Sequence, residues 1–136
     1  MINCLNKRII LKISFLLFIT IQFSFSQDSN FDFKNKNVLI VYGGYPPHQP
    51  KKFAKKVEKW LVKNNAKVTL SGSTEIYAND KIMSKTDLII QSVTMLDIKR
   101  NELKGLSNAI SNGTGLVGFH GGLGDSFRNS TEYQYI

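Results

Sequence analysis

Cysteine is almost missing from this 136-residue chain. The one cysteine, Cys4, lies ahead of the first apolar run. With the leader described below removed, no thiol remains. That excludes a disulfide framework, a thiolate nucleophile and a cysteine metal ligand. Histidine is nearly as scarce, with His48 and His120 alone, so any imidazole chemistry must use one or both. The three prolines all fall between Pro46 and Pro50, which marks a single loop. No apolar stretch reaches the roughly 20 residues of a membrane span. The run from Ile13 to Phe25 follows Lys7, Arg8 and Lys12, and Ser24-Phe25-Ser26 precedes Gln27. This is the pattern of a secretory signal peptide cleaved after Ser26. It predicts a leader over 1–26, a lead-in over 27–36, and a periplasmic or extracellular product without a stable membrane span. An uncleaved anchor is the alternative, for which the run is short.

The length allows one domain at most. Three of the eight net positive charges sit in the leader, which leaves +5 on the rest. Nine basic residues lie between Lys34 and Lys67, mostly on one expected helix, where a solvated face accounts for them. No basic, aromatic-interleaved element accompanies them, so no nucleic-acid partner is expected.

Asn37 to Tyr42 is a continuous apolar run, as in a strand covered on both faces. Gly43 to Pro50 is a loop. Pro50 suits the first turn of a helix, and Phe53, Val57, Trp60 and Leu61 form one apolar stripe after it. Trp60 is read as core. Ala66 to Leu70 is a second strand. Ser71 to Asn79 reads as loop, and Asp80 to Ser84 as a helical turn. Thr86 to Gln91 is a third strand, with Ser92 to Met95 at its end. Lys99 to Asn112 is a second long helix, stopped by Asn112-Gly113. Leu116 to Phe119 is a fourth, buried strand that breaks at His120 into Gly121, Gly122 and Gly124. Ser126 to Tyr135 reads as the start of a further helix. Strand and helix alternate, which predicts an α/β fold with a mainly parallel sheet and helices on both faces. The carboxyl ends of the strands then gather His48, Thr94, Met95 and the stretch His120 to Arg128 on one edge, where open α/β sheets bind ligands.

Specific stretches carry a resemblance. They are Val38-Leu-Ile-Val-Tyr-Gly-Gly44 with His48, Tyr77-Ala78, Asp87-Leu-Ile-Ile90, Thr94-Met95, Leu103-Lys-Gly-Leu106, and Gly118-Phe-His-Gly-Gly-Leu-Gly-Asp-Ser-Phe-Arg-Asn129 with Glu132-Tyr-Gln134. From Asn37 onward the chain resembles the ThuA-like, or trehalose-utilisation, family of the class I glutamine amidotransferase-like superfamily. The resemblance implies a flavodoxin-like doubly wound sheet of order 2-1-3-4 and a role in carbohydrate metabolism. It also implies that the domain over 37–136 is truncated, which would leave the fourth strand as an open edge. In glutamine amidotransferases a nucleophilic cysteine occupies a Gly-x-Cys-x-Gly turn. Here the frame reads Gly118-Phe-His-Gly-Gly122. Histidine stands in place of the thiol, so covalent glutamine hydrolysis has no visible nucleophile.

The candidate catalytic residues are therefore His120, His48 and Asp125. His120 and His48 would serve as acid and base, since imidazole titrates near neutrality. Asp125 would orient His120 or bind a sugar hydroxyl; its structural reading is a helix cap ahead of Ser126 and Phe127. The candidate substrate-binding residues are Gly44, Tyr45, Thr94, Met95, Gly121, Gly122 and Arg128. The amides of Gly121 and Gly122 would support an oxyanion, and Arg128 would clamp an oxygen or pair with Asp125 or Glu132. The expected partner is a small carbohydrate, and no cofactor is expected. The alternative is a divalent ion on His48, His120 and Asp125, whose spacing matches no compact metal motif. A hydrolase, lyase or isomerase acting on a sugar or keto-sugar fits these residues. A non-catalytic sugar- or partner-binding module and an inactive fragment are the other readings.

Overall fold

The first strand among the described residues, β1, Asn37–Gly44, is one of the two inner strands of the sheet. The computed structural model describes residues 31–136, and the stretch from Asp32 onward forms one unit. The leader and the start of the lead-in lie outside the described residues. Val38, Leu39, Ile40 and Val41 are all buried. Such a run suits a strand with structure on both faces, where no side of the pleat meets water.

The other strands are β2, Lys67–Ser71, β3, Leu88–Thr94, and β4, Gly115–Gly118. They form one sheet of order β2-β1-β3-β4 with every pair parallel. The expected order and direction are met. The third strand runs further than expected, because Ser92, Val93 and Thr94 pair with Tyr42, Gly43 and Gly44.

Helices cover both faces. One face holds α1, Pro50–Lys63, over Val38 and Ile40 through Ala54 and Leu61. The other holds α2, Asp80–Met83, and α3, Arg100–Ser111, over Leu39, Val41, Ile89 and Val93 through Met83, Leu103, Leu106 and Ala109. Alternate residues of each central strand feed the two cores, as the two-residue period of a strand requires. Glu102 closes the start of α3 by accepting from the Lys99 N–H at 3.2 Å.

Four local expectations change. Trp60 is 45 % exposed, not core, and sets its ring edge-on to Phe33 at 5.6 Å; small Ala54 takes the buried place against the sheet. The loop after β2 contains a 3-10 turn, Thr74–Ala78, which drives Tyr77 into the core. Gly105 makes room for it: a Cβ there would lie 1.8 Å from the Tyr77 carbonyl oxygen. β4 is half-covered, not buried, with Val117 46 % exposed, because only β3 pairs with it among the described residues. The final helix begins six residues earlier than expected. It is a single turn, α4, His120–Leu123, followed by irregular chain and a 3-10 turn at Glu132–Tyr135.

Candidate functional site

β1 and β3 end side by side, and their last residues build the floor of the carboxyl edge. Gly44, at φ +81°, lies so close to Thr94 that a Cβ would sit 1.7 Å from the Thr94 carbonyl oxygen. Only glycine allows both that backbone angle and that approach. The next N–H, of Tyr45, donates to the same carbonyl at 3.1 Å. The chain then makes a 3-10 turn, Pro46–His48, which returns His48 over the end of β3. Tyr45 stands at its flank, its ring perpendicular to the imidazole at 5.0 Å.

α4 reaches the same place from the far side. β4 stops at Gly118, Phe119 takes extended geometry, and the helical turn starts at His120. This is the sharp strand-to-helix turn that the glycine frame predicts. Gly121 and Gly122 are buried. A Cβ on Gly121 would lie 2.9 Å from His48 Cε1, and one on Gly122 would lie 3.0 Å from Ser92 Cα. The two glycines thus let the turn settle onto His48 and β3. Phe119 meets Phe53 of α1 edge-on at 5.0 Å.

Thr94 joins the two loops. Its hydroxyl donates to the Gly121 carbonyl and lies 3.2 Å from His48 Nδ1. Met95 adopts a left-handed conformation, φ 55°, and its N–H donates to the Asp125 carbonyl at 2.9 Å. The Leu96 N–H does the same to Ser126. The end of β3 is therefore clamped between both histidine-bearing loops.

Three ionisable side chains form a chain. Asp125 Oδ1 accepts from Arg128 Nε at 3.2 Å and lies 2.9 Å from Arg128 Nη2. Asp125 Oδ2 stands 3.9 Å from His120 Nδ1. The helix-cap reading of Asp125 does not hold, since no helix starts at Ser126; its carboxylate faces a guanidinium and an imidazole instead. The oxyanion reading of the Gly122 amide is also corrected, because that N–H donates to the Phe119 carbonyl at 2.9 Å inside the turn. The side chain of His120 is 91 % exposed.

The structure thus brings His48, Thr94, Met95, Gly44, Tyr45, Gly121 and Gly122 together. It sets the Asp125–Arg128 ion pair, with His120 at 3.9 Å, beside them. Among the described residues no three His, Cys, Asp or Glu side chains form a group that could hold a metal ion, so His48, His120 and Asp125 are not gathered as a ligand set. A cavity of about 730 Å³ opens at the opposite, amino edge of the strands, bounded by Lys36, Asp80, Asp87, Asn108 and Asn112.

Beneath the site lies a polar network. Gln91, fully buried, donates from Nε2 to Ser126 Oγ at 2.7 Å and to Tyr133 Oη at 2.8 Å, and its Oε1 accepts from Tyr77 Oη at 2.7 Å. Ser126 passes its proton toward the Val93 carbonyl, 2.7 Å away, and Tyr133 donates to the Leu123 carbonyl at 2.9 Å. Burial pushes the phenols of Tyr77 and Tyr133 above the usual tyrosine range, so both stay protonated donors. The signal was a single glutamine inside an apolar strand. Ser92 Oγ, under Gly122, is buried without a hydrogen-bond partner among the described residues.

Comparison with known proteins agrees with this architecture. No curated protein matches the chain. A solved structure, a ThuA-like protein from Bacteroides uniformis ATCC 8492, superposes with a TM-score of 0.56 at 18% sequence identity. The match covers 66% of this chain and 38% of that one, so the present chain spans well under half of that protein. At this identity the likeness establishes the fold, an α/β, flavodoxin-like arrangement. The family model for ThuA, described as trehalose utilisation, matches residues 37–136. The chain belongs to the ThuA family.

Proposed function

We propose that this ThuA-family chain is exported and acts on a carbohydrate derivative, moving protons with His120 and His48 at the carboxyl edge of its sheet. The observation that carries the reading is the seating of the His48 ring against Gly121, the neighbour of His120. Two distant loops, one carrying His48 and the other carrying His120, thus pack together where Gly121 has no space for a Cβ. On this reading His120 exchanges protons with the substrate, and Asp125, with Oδ2 3.9 Å from its Nδ1, orients the ring. Arg128 holds Asp125 in place. Such a pair suits isomerisation, elimination or hydrolysis of a sugar or keto-sugar. Glutamine hydrolysis is not proposed, because an imidazole replaces the thiol at the turn.

The test is turnover of keto-glycosides and trehalose-derived keto-sugars by the full chain and by His120→Ala. Loss of a general acid or base costs about 10²- to 10⁴-fold in rate. The variant is expected to fall by that much while sugars still shift the melting temperature. Unchanged turnover would remove His120 from the chemistry. The exposure of the His120 side chain, 91 %, favours a second reading: a sugar-binding module without turnover. Sugar-dependent stabilisation with no product from any candidate would select it.

A further inference from the structure

We infer that Thr94 is a positioning residue that fixes the tautomer of His48, leaving Nε2 as the bare, proton-accepting nitrogen of the site. The inference rests on the placing of His48 in that site and deepens it. A threonine hydroxyl has one hydrogen and two lone pairs. The Gly121 carbonyl can only accept, so the Thr94 hydrogen is committed to it. What Thr94 then turns to His48 Nδ1, at 3.2 Å, is a lone pair. Two acceptors do not bond, so Nδ1 must carry the hydrogen. In a neutral imidazole the other nitrogen is then unprotonated. The direction of the relay is set at its far end by a main-chain oxygen that cannot reverse its role.

The geometry around the ring supports the same reading. Gly121 lies against the Cε1–Nδ1 edge, with its would-be Cβ 2.9 Å from Cε1, 3.2 Å from Nδ1 and 3.8 Å from Nε2. Tyr45 meets the ring edge-on at 5.0 Å. No hydrogen bond among the described residues uses Nε2, and His48 is exposed. The ring is held on one edge and open on the other. A neutral His48 of this tautomer bonds a hydroxyl that points its proton at Nε2; it does not bond a carbonyl oxygen. The substrate group at this position is accordingly a hydrogen-bond donor, an O–H on the carbohydrate reading above, and His48 is the base of the pair.

The experiment is long-range ¹H–¹⁵N correlation of the histidine-labelled full chain at pH values where imidazole is neutral, with His48→Gln assigning the ring. The wild type is expected to show a protonated Nδ1 and a bare Nε2 at His48. Thr94→Ser, which keeps the hydroxyl, should retain that pattern. Thr94→Val should lose it and shift His48 toward the opposite tautomer or a mixture. A wild-type spectrum with hydrogen on Nε2, or with rapid averaging of the two forms, overturns the inference. So does a Thr94→Val chain that leaves the pattern unchanged. If Thr94→Val does not fold, the wild-type and Thr94→Ser spectra still decide. Catalysis is not read in this experiment, so a fixed tautomer with no turnover would remove the proposed enzymatic activity and leave the role of Thr94 intact.

Discussion

Gln91 shows how much one polar side chain can organise when its surroundings are dry. It is fully buried, and its amide reaches Tyr77, Ser126 and Tyr133 at 2.7 to 2.8 Å. A buried amide is tolerated because each of its groups is matched. Replacing it with an apolar group of similar size would strand the Tyr77 hydroxyl, which donates to Gln91 Oε1 and to no other group among the described residues. The cost of one unsatisfied buried donor is about 1–3 kcal/mol. Gln91→Leu is therefore expected to lower stability by about that much in urea unfolding, despite the added hydrophobic side chain. At this scale the sequence was partly legible. The placing of His48 and His120 on one edge followed from strand ends and glycines. The Gln91 network did not, because hydrogen bonding between Gln91 and Ser126, 35 positions apart, leaves no local pattern. Nor did the bond between Thr94 and Gly121.

Among the elements, α3 was readable almost to its caps. Leu103 and Leu106 are buried against the sheet, and Asn112 closes it with Gly113 at φ +98°, where the Asn112-Gly113 stop is expected. What the periodicity could not reveal is why Gly105 interrupts a good helix. It sits where α3 presses on the turn carrying Tyr77, with 1.8 Å between its absent Cβ and a carbonyl oxygen. Two effects oppose each other on adding a methyl. Helix propensity favours alanine over glycine by about 1 kcal/mol. Overpacking against backbone costs about 3 kcal/mol or more, since no side chain can rotate away. Gly105→Ala is expected to destabilise by about 2 kcal/mol net, seen as a lower denaturation midpoint. Unchanged or raised stability would mean that α3 is free to move off the turn. The last helix departs from its expectation for a different reason. Its turn is held by tertiary bonds from Met95 and Leu96 to Asp125 and Ser126, which outcompete the local preference of residues 126–135.

For the molecule as a whole, topology was the most legible feature. Alternating apolar runs and amphipathic stretches predict a mainly parallel sheet, the family resemblance implies the β2-β1-β3-β4 order that is observed, and the parallel direction puts both histidine loops on one rim. Fine electrostatics were less so, because ion pairs depend on residues far apart in the chain. Asp87 accepts from the Asn37 N–H at 2.8 Å and from Lys36 at 3.2 Å, which together hold its carboxyl below the usual range. Lys99 does the same to Glu75, 2.7 Å away. A carboxyl lowered in the folded state contributes stability above its unfolded value and loses it as pH falls through the lowered one. Stability is thus expected to decline on acidification from the ordinary carboxylate range downward. Asp87→Asn should flatten that decline, as followed by melting temperature against pH. A slope unchanged by the substitution would assign acid sensitivity elsewhere.

The strands are unequally held. β1 and β3 pair from Val38–Leu88 to Gly44–Thr94, while β4, among the described residues, pairs only with β3, from Leu88–Gly115 to Gln91–Gly118. Under deuterium exchange the amides of the central pair should be the last to be replaced and those of β4 among the first. Any opening of that outer strand would loosen His120 before His48, so the two imidazoles would separate by release of one partner from an otherwise intact fold.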